Sequence, residues 1–291
     1  MKYINKCDVN LQGRGINETQ RIIDLCWNAD ENRYVNLVYD HALMGNMERI
    51  LIEAQRDGEE QHYGLCCYCM RRLFLEVEGE HKKNATLEHI IPNKIKREAW
   101  EKDGDKYRSF DCLTERYVKV CFGGNVQNDS ERILKMPYPH FLSYHNMVLS
   151  CNGESVENGG IVLSNCCNNK RGDHFVLPMY LRESIGNEIY YTKEGDIDFD
   201  DDLFDAEWFS SRCLNLKSEW IRRVRRFWYL LSLSGYSVAD VEEAIGNEEL
   251  RNCILDDVDD DNNLANVFIS NRHWALLSEY NWFYRYYKKT L

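Results

Sequence analysis

The sequence predicts an α+β fold in which helical regions at the two ends flank a middle region of short strands and turns. Apolar residues recur near the 3.6-residue helical period early in the chain and again near its end. Residues 64–180 have shorter apolar runs and more glycine, cysteine and turn signals. Hydrophobic residues make up 44% of the 291 positions, enough for a sizeable core. We therefore expect three regions, over residues 1–62, 63–180 and 181–291.

The N-terminal region is expected to combine an irregular arm with helices. Residues 1–15 contain two glycines and few periodic positions, which favours the arm. A short helix is predicted over residues 17–27, with Asn17 as its N-cap. Helical spacing of the apolar residues over 34–55 predicts one or two further helices.

The middle region is expected to contain short strands. β-Prone runs bounded by turn signals predict them over residues 72–77, 86–91, 117–122, 146–150 and 161–163. Pro92 closes the second run, because proline cannot donate a backbone hydrogen bond. The long interval before the fourth run implies an insertion at about residues 100–140.

The C-terminal region is predicted to be helical beyond an acidic run. Residues 195–209 are rich in aspartate, which is typical of a solvated loop, and we place a domain boundary near them. An amphipathic helix is predicted over 217–233, and a capping box at Ser237 opens the next helix. Residues 264–287 form a final helical pattern rich in aromatic side chains.

Charge is distributed unevenly along the chain, whose net charge is −12. Residues 61–180 hold 16 Lys+Arg and 15 Asp+Glu, whereas the rest hold 20 and 33. The nearly neutral middle region permits contact with nucleic acid without demonstrating it. Four arginines within residues 222–226 lie beside Trp220 and Trp228. They could follow a phosphate backbone, or form the basic solvent face of an amphipathic helix.

The chain is expected to be a soluble, cytoplasmic protein with no membrane partner. No apolar run approaches the roughly 18 residues of a membrane span, and the first residues lack the apolar stretch of a signal peptide. In a reducing compartment disulfides are rare, so clustered cysteines indicate metal binding or catalysis. Six of the twelve cysteines are scattered, and we interpret these as buried small hydrophobes: Cys7, Cys26, Cys112, Cys121, Cys213 and Cys253.

The clustered cysteines predict a structural zinc site. Cys66 and Cys69 form a C-x-x-C pair, which can grip one ion from a tight turn. Zinc takes four such ligands in a tetrahedron, so a second pair must come from elsewhere. Cys151 and Cys167 are the best candidates, with Cys166 as the alternative to Cys167. The interval between Cys151 and this second cluster requires an inserted loop.

Between the two zinc pairs lies the dipeptide Glu88-His89, in a short β-prone run. A carboxylate there can hold a divalent cation while the imidazole takes a proton from water. Asn146 and Asn168 follow, each close to a cysteine of the second pair. The dipeptide alone would indicate little, but its position between two zinc pairs favours a catalytic role for His89.

The order C-x-x-C, E-H-I-I-P, N-x-x-x-x-C and C-N-x-K-R-G resembles the HNH endonuclease family over roughly residues 64–176. This resemblance implies a ββα-metal core, in which two strands and a helix surround a catalytic divalent ion and zinc joins the ends. It implies that His89 is the general base and Glu88 a metal-binding carboxylate. Asn146 would position the loop that carries the base. Asn168 stands where the family has its final metal-binding histidine.

Two departures from the family pattern affect the metal. Glu88 replaces a more common aspartate, and Asn168 replaces a histidine. Both still offer oxygen ligands, which suit a catalytic Mg²⁺ or Mn²⁺. Phosphates could be held by Lys94, Lys170 and Arg171, although exposed solubilising charge is an equally good interpretation of each. His145, next to Asn146, could also contribute.

The motif with its helical flanks also resembles the nuclease subunits that pair with ABC-type ATPases in bacterial phage defence of the Septu type. This resemblance implies DNA as the substrate, ahead of RNA, and an ATPase partner that restrains or directs cleavage. The alternative hypothesis is a zinc-stapled nucleic-acid-binding or protein-binding module with a degenerate catalytic site, because the third histidine is missing.

Overall fold

The computed structural model describes residues 1–35, 41–58, 63–91, 142–172, 174, 176–200, 202, 204–259 and 264–291. Within these ranges the chain is a mixture of helices and small sheets, so the α+β class is confirmed. Its strands form antiparallel two-stranded sheets. The predicted strand over 117–122 and the insertion at about 100–140 lie outside the described residues.

The N-terminal region starts its first helix much earlier than expected. Helix α1 spans Val9–Cys26, and Asp8 caps it by accepting hydrogen bonds from two backbone N–H groups. The expectation of an N-cap at Asn17 is therefore wrong, and the arm expected over 1–15 is limited to the residues before Val9. Gly15 explains the error, because a Cβ there would lie 2.2 Å from the Tyr144 ring. The glycine permits close packing and does not interrupt the helix.

Two short elements and a second helix complete the N-terminal region. Strands β1, Trp27–Asn28, and β2, Arg33–Tyr34, form a hairpin. Helix α2 then spans His41–Ala54 and packs against α1. One of the helices predicted over 34–55 is thus present among the described residues.

Among the described residues, the middle region contains three small antiparallel sheets and one short α-helix. Its elements are β3 Gly64–Leu65, β4 Arg72–Leu73, β5 Ala85–His89, β6 Met147–Cys151, β7 Ser155–Glu157, β8 Gly160–Val162 and α3 Cys167–Arg171. Strand β3 pairs with β4, β5 with β6, and β7 with β8. Four of the five predicted strands fall on these elements, although β4 is only two residues long. Helix α3 packs on β6.

The acidic run of the C-terminal region contains a strand, which corrects the expectation of a solvated loop over its whole length. Strand β9, Ile189–Tyr191, pairs with β10, Ile197–Phe199. Ile197 and Phe199 are buried and Asp198 between them is exposed. Because aspartates surround the two apolar residues, the composition of the run does not indicate this alternation.

The rest of the C-terminal region is helical, as predicted. The helices are α4 Ile185–Glu188, α5 Ala206–Phe209, α6 Glu219–Leu233, α7 Val238–Ala244, α8 Glu248–Val258, α9 Asn271–Ser278 and α10 Trp282–Thr290. The capping box of Ser237 with Asp240 at the start of α7 is confirmed. The final pattern over 264–287 resolves into α9 and α10, and α10 packs against α6. None of the described helices is long and apolar enough to cross a membrane.

One cluster of buried apolar side chains contains residues of all three expected regions. The N-terminal arm before α1 takes part, with Met1 and Ile4 buried. The backbone N–H of Ile4 donates to the Tyr180 carbonyl at 2.7 Å. The middle region is therefore enclosed by elements from both ends of the chain.

Candidate metal centre and catalytic site

Four cysteine side chains meet in the interior of the middle region. The sulfurs of Cys66, Cys69, Cys151 and Cys167 all lie within 4.8 Å of one another, and all four residues are buried. The Cys66–Cys167 sulfurs are 3.8 Å apart and the Cys69–Cys151 sulfurs 3.6 Å. In a zinc tetrahedron with Zn–S bonds of about 2.3 Å, sulfurs are separated by about 3.8 Å. This four-cysteine cluster could hold a metal ion such as zinc.

Local backbone geometry brings the four ligands together. Cys66 and Cys69 lie in the tight turn between β3 and β4, where the Cys66 N–H donates to the Arg71 carbonyl at 2.8 Å. Cys151 ends β6, and its N–H donates to the Cys66 sulfur at 3.2 Å. Cys167 begins α3. The donor set is typical of closed structural zinc sites, which have no open position for a substrate.

Cys167 is the fourth member of the cluster, and the alternative Cys166 is not. The Cys166 sulfur still lies 3.7 Å from that of Cys167. Hydrogen bonds from the surrounding thiols, those of Cys166 and Cys167 first, hold the pKa of the Cys151 thiol well below its usual range. Burial raises the pKa of the Cys66, Cys69 and Cys167 thiols, so of the four only the Cys151 thiol is shifted towards the thiolate, the form that binds metal.

The scattered cysteines only partly match the expectation of burial. Cys26 and Cys213 are buried, whereas Cys7 and Cys253 are exposed, which corrects the interpretation of the latter two. Cys7 lies in the arm before α1, and Cys253 lies on α8. The remaining two, Cys112 and Cys121, lie outside the described residues.

Strand β5 carries Glu88 and His89 next to the four-cysteine cluster. Successive residues of a strand point to opposite faces, and Glu88 is buried while His89 is partly exposed. The Glu88 atom Oε1 accepts the Tyr68 hydroxyl at 2.7 Å and a guanidinium N–H of Arg171. The carboxylate is therefore held from inside the fold.

Arg171 lies inside the protein, where its side chain is 1% exposed. Besides Glu88, its guanidinium donates to the carbonyls of His89 at 2.8 Å, Ile90 at 3.0 Å and His174 at 3.1 Å. Both interpretations of Arg171, as a phosphate contact and as an exposed solubilising charge, are therefore wrong, because a buried group with these partners does not face solvent. Lys170 is exposed. Lys94 lies outside the described residues.

Asn146 fixes the chain that follows His89. Its side chain is fully buried, accepts the Ile91 N–H at 2.7 Å and donates to the Ile91 carbonyl at 3.0 Å. The Asn146 carbonyl also accepts the Ile90 N–H at 2.9 Å. An amide side chain that satisfies both backbone polar groups of one residue restrains that residue on two sides. Asn146 thus has the contacts of a residue that positions the end of β5.

Asn168, which lies on α3, also contacts strand β5. Its amide nitrogen donates to the Leu87 carbonyl at 3.1 Å.

His145, next to Asn146, is shielded from water: burial, and then the charge of Lys6, lower its pKa to about 4. A group with that pKa is a neutral imidazole at physiological pH.

A catalytic divalent ion needs its own donor set. Among the residues that the structure describes, the four-cysteine cluster is the one group of three or more His, Cys, Asp or Glu side chains close enough to hold a metal. Glu88 already accepts two hydrogen bonds through Oε1. Coordination by Glu88 and Asn168 therefore stays a prediction, as do the roles of His89 and Asn146.

A buried ionic network, which the sequence did not reveal, joins the cysteine turn to the C-terminal helices. Arg71 is fully buried and donates to Glu154 at 3.0 Å and to Glu279. Glu154 also accepts from Arg272 at 2.6 Å. The His81 ring contacts Glu279 at 3.1 Å. These partners are far apart in sequence, so no local motif signals the network.

The arginines of helix α6 are not arranged with aromatic side chains for stacking on bases. Trp220 and Trp228 are buried. Arg225 is also buried, with its guanidinium 5.0 Å from the Tyr191 ring centroid. Arg222 and Arg223 each form a salt bridge with Glu219. These contacts favour the interpretation of an amphipathic helix over that of a phosphate-binding surface.

No protein-family model, no curated protein and no solved structure matches this chain.

Proposed function

We propose that this protein is a metal-dependent endonuclease of the HNH type, which hydrolyses phosphodiester bonds in DNA. The observation that carries the proposal is the pair of hydrogen bonds between the Asn146 side chain and Ile91. These bonds fix the backbone two residues after His89, as the resemblance requires of the middle asparagine. Such precision supports general-base catalysis, since small misplacement of a base lowers the rate strongly.

The order of elements also supports the proposal. Strands β5 and β6 are antiparallel, α3 follows them, and α3 packs on β6. The four-cysteine cluster draws its members from the turn before β5, the end of β6 and the start of α3. This is the arrangement expected of a ββα-metal core whose ends are joined by zinc.

In the proposed reaction, the His89 imidazole takes a proton from a water molecule. The water oxygen forms a bond to the scissile phosphorus, and the bond from phosphorus to the 3′ oxygen breaks. The leaving oxygen keeps the electron pair and takes a proton from solvent, which leaves a 5′ phosphate and a 3′ hydroxyl. A bound Mg²⁺ or Mn²⁺ would supply positive charge to the phosphate and leaving oxygens. Asn168 and Glu88 are the proposed ligands, and Glu88 would share its carboxylate with Arg171.

The helical flanks are proposed to bind an ABC-type ATPase that restrains or directs cleavage, as the resemblance to Septu-type subunits implies. DNA is the preferred substrate because of that resemblance, with RNA as the less favoured choice. The nearly neutral charge of residues 61–180, against the acidic remainder, is compatible with a phosphate backbone at the middle region.

A second function is supported by a specific contact. The buried pair of Glu88 with Arg171 occupies the carboxylate that the proposed mechanism assigns to the ion. A chain without cleavage activity would retain the four-cysteine cluster and the buried pair of Glu88 with Arg171. It would then act as a zinc-stapled module that binds nucleic acid or protein.

Plasmid cleavage with Mg²⁺ or Mn²⁺ separates the two functions. We expect His89→Ala to lower the cleavage rate by about 10²–10⁴-fold, the typical contribution of a positioned general base. His174→Ala is the matched control, because His174 is an exposed histidine of the same region. Cleavage by His89→Ala at the parental rate contradicts the mechanism. Binding of DNA without cleavage by the parent, with either metal and with the ATPase present, supports the binding module.

A further inference from the structure

We propose that Lys6, in the arm before α1, is a positioning residue for the end of strand β5. Lys6 holds the 3-10 turn Tyr144–Asn146. This turn then holds Ile90 and Ile91, the two residues that follow His89. Its consequence for catalysis rests on the proposed function, whereas the mechanical link does not.

Lys6 is the first link. Its side chain is 1% exposed, and its ammonium donates to the Tyr144 carbonyl at 2.6 Å and to the Met147 carbonyl. The ammonium also lies 3.8 Å from the centroid of the Tyr144 ring. A buried charge is costly unless it is bonded, so these contacts specify where the ammonium sits. The two carbonyls flank Asn146 in sequence, on either side of it.

Helix α1 holds the same turn from a second direction. The backbone N–H of Tyr144 donates to the Thr19 hydroxyl at 2.9 Å. Gly15 allows the Tyr144 ring to approach the helix backbone, because any Cβ at that position would overlap the ring. The turn is therefore attached to the N-terminal region through both its backbone and its ring.

The last link joins the turn to the strand end. Asn146 holds Ile90 through its backbone carbonyl and Ile91 through its side chain. Since Asn146 belongs to the turn that the Lys6 ammonium holds, a shift of the turn displaces both isoleucines. Loss of the Lys6 ammonium should therefore loosen the chain after His89 without touching any reacting atom.

Amide hydrogen exchange on the whole chain tests the link directly. The variant is Lys6→Met, which keeps the aliphatic stem and removes the ammonium. Its matched control is Lys2→Met, because the Lys2 ammonium, on the same arm, contacts the Arg56 carbonyl and Asp57 instead of the turn. We expect the Ile90 and Ile91 amides to exchange at least about tenfold faster in Lys6→Met and to be unchanged in Lys2→Met.

The Cys67 amide, which donates to the Leu149 carbonyl at 3.2 Å, is the internal reference. If Lys6→Met speeds exchange at Cys67 as much as at the two isoleucines, the residue merely stabilises the fold and the proposal is overturned. Equal exchange of Ile90 and Ile91 in the Lys6 and Lys2 variants overturns it as well. Lys6→Arg, which keeps the charge, should recover most of the protection.

Cleavage kinetics test the catalytic consequence separately. In Lys6→Met we expect kcat to fall by about 10²-fold, the cost of a misplaced group, with KM and the pH dependence unchanged. A parental kcat combined with faster exchange at Ile90 overturns the catalytic part. If the parent chain cleaves no nucleic acid with either metal and with the ATPase present, the nuclease proposal fails alone, because the exchange experiment does not depend on activity.

Discussion

The four-cysteine cluster and the end of strand β5 lie on the same pair of strands and differ in how they are held. The cluster consists of four like donors turned inward, all of them buried. The strand end has a buried carboxylate, Glu88, and a partly exposed imidazole, His89, next to it in sequence. Strand β6 supports both, with Cys151 at its end and Asn146 just before its start. The comparison teaches that one strand pair can carry a buried cluster of cysteines and an imidazole that is partly open to solvent.

The two regions also differ in what satisfies their polar groups. At the strand end, Glu88 and the carbonyl of His89 accept hydrogen bonds from side chains of the protein. In the four-cysteine cluster the sulfurs contact one another, and an ion is needed to satisfy four thiolates together. Removing an ion from the four-cysteine cluster should therefore unfold the cluster before it disturbs the hydrogen bonds at the end of strand β5.

The largest expected effect is the loss of a cysteine from the cluster. Cys69→Ser should lose the single tightly bound ion and destabilise the middle region by several kcal/mol, because structural zinc contributes directly to folding. Metal analysis and thermal unfolding measure the two quantities. Cys166→Ser is the matched control, since Cys166 is a buried neighbour that lies outside the group of four. Ion loss in both variants contradicts the assignment of the fourth ligand.

The next largest effect concerns the strand end. Arg171→Met should lower the free energy of unfolding by about 3–5 kcal/mol, because it leaves the Glu88 carboxylate buried without its cation. Chemical denaturation measures this change, and metal content should stay that of the parent. Arg182→Met is the control, since Arg182 pairs with Glu188 near the surface and should cost less than about 1 kcal/mol.

A double variant decides the cause of that loss. Glu88→Gln in the Arg171→Met background should recover part of the stability, because a neutral amide needs no cation. If the double variant is as unstable as Arg171→Met alone, the lost bonds to the carbonyls of His89 and Ile90 dominate.

Short motifs explain what the sequence could predict. The C-x-x-C pair and Cys151 with Cys167 were predicted as ligands, because a metal site is made of a few residue types at close spacing, and the cluster confirms that group. The α+β class and the capping box at Ser237 could also be predicted, because the helical period and helix capping depend on residues that are close in sequence.

Partners distant in sequence explain the errors. Arg171 was expected to contact phosphate or to be an exposed charge, because its partner Glu88 lies on another element. Helix α1 was expected to start late because only Tyr144, far along the chain, reveals why residue 15 is glycine. The strand Ile197–Phe199 was hidden by aspartates that face away from the core. In each case the deciding contact is made by tertiary packing, which no local pattern carries.

The smallest expected effect comes from His81, in the network that joins the cysteine turn to the C-terminal helices. Burial lowers the pKa of His81, but hydrogen bonds to Glu242 and Glu279 outweigh burial and raise it to about 9. The protonated ring therefore stabilises the fold. This contribution is complete below pH 6.5, the ordinary histidine pKa, and is lost as the pH rises to about 9.

His81→Gln should flatten the decline of stability between pH 6.5 and 9 by on the order of 1 kcal/mol, since a partly exposed pair is screened by solvent. Chemical denaturation at several pH values measures the slope, with His174→Gln as the control for an exposed histidine. Every other titratable group is the same in both chains, so only the difference between the slopes is used. Parallel curves for the parent and His81→Gln would show that Arg71 and Arg272 hold the network without the histidine charge.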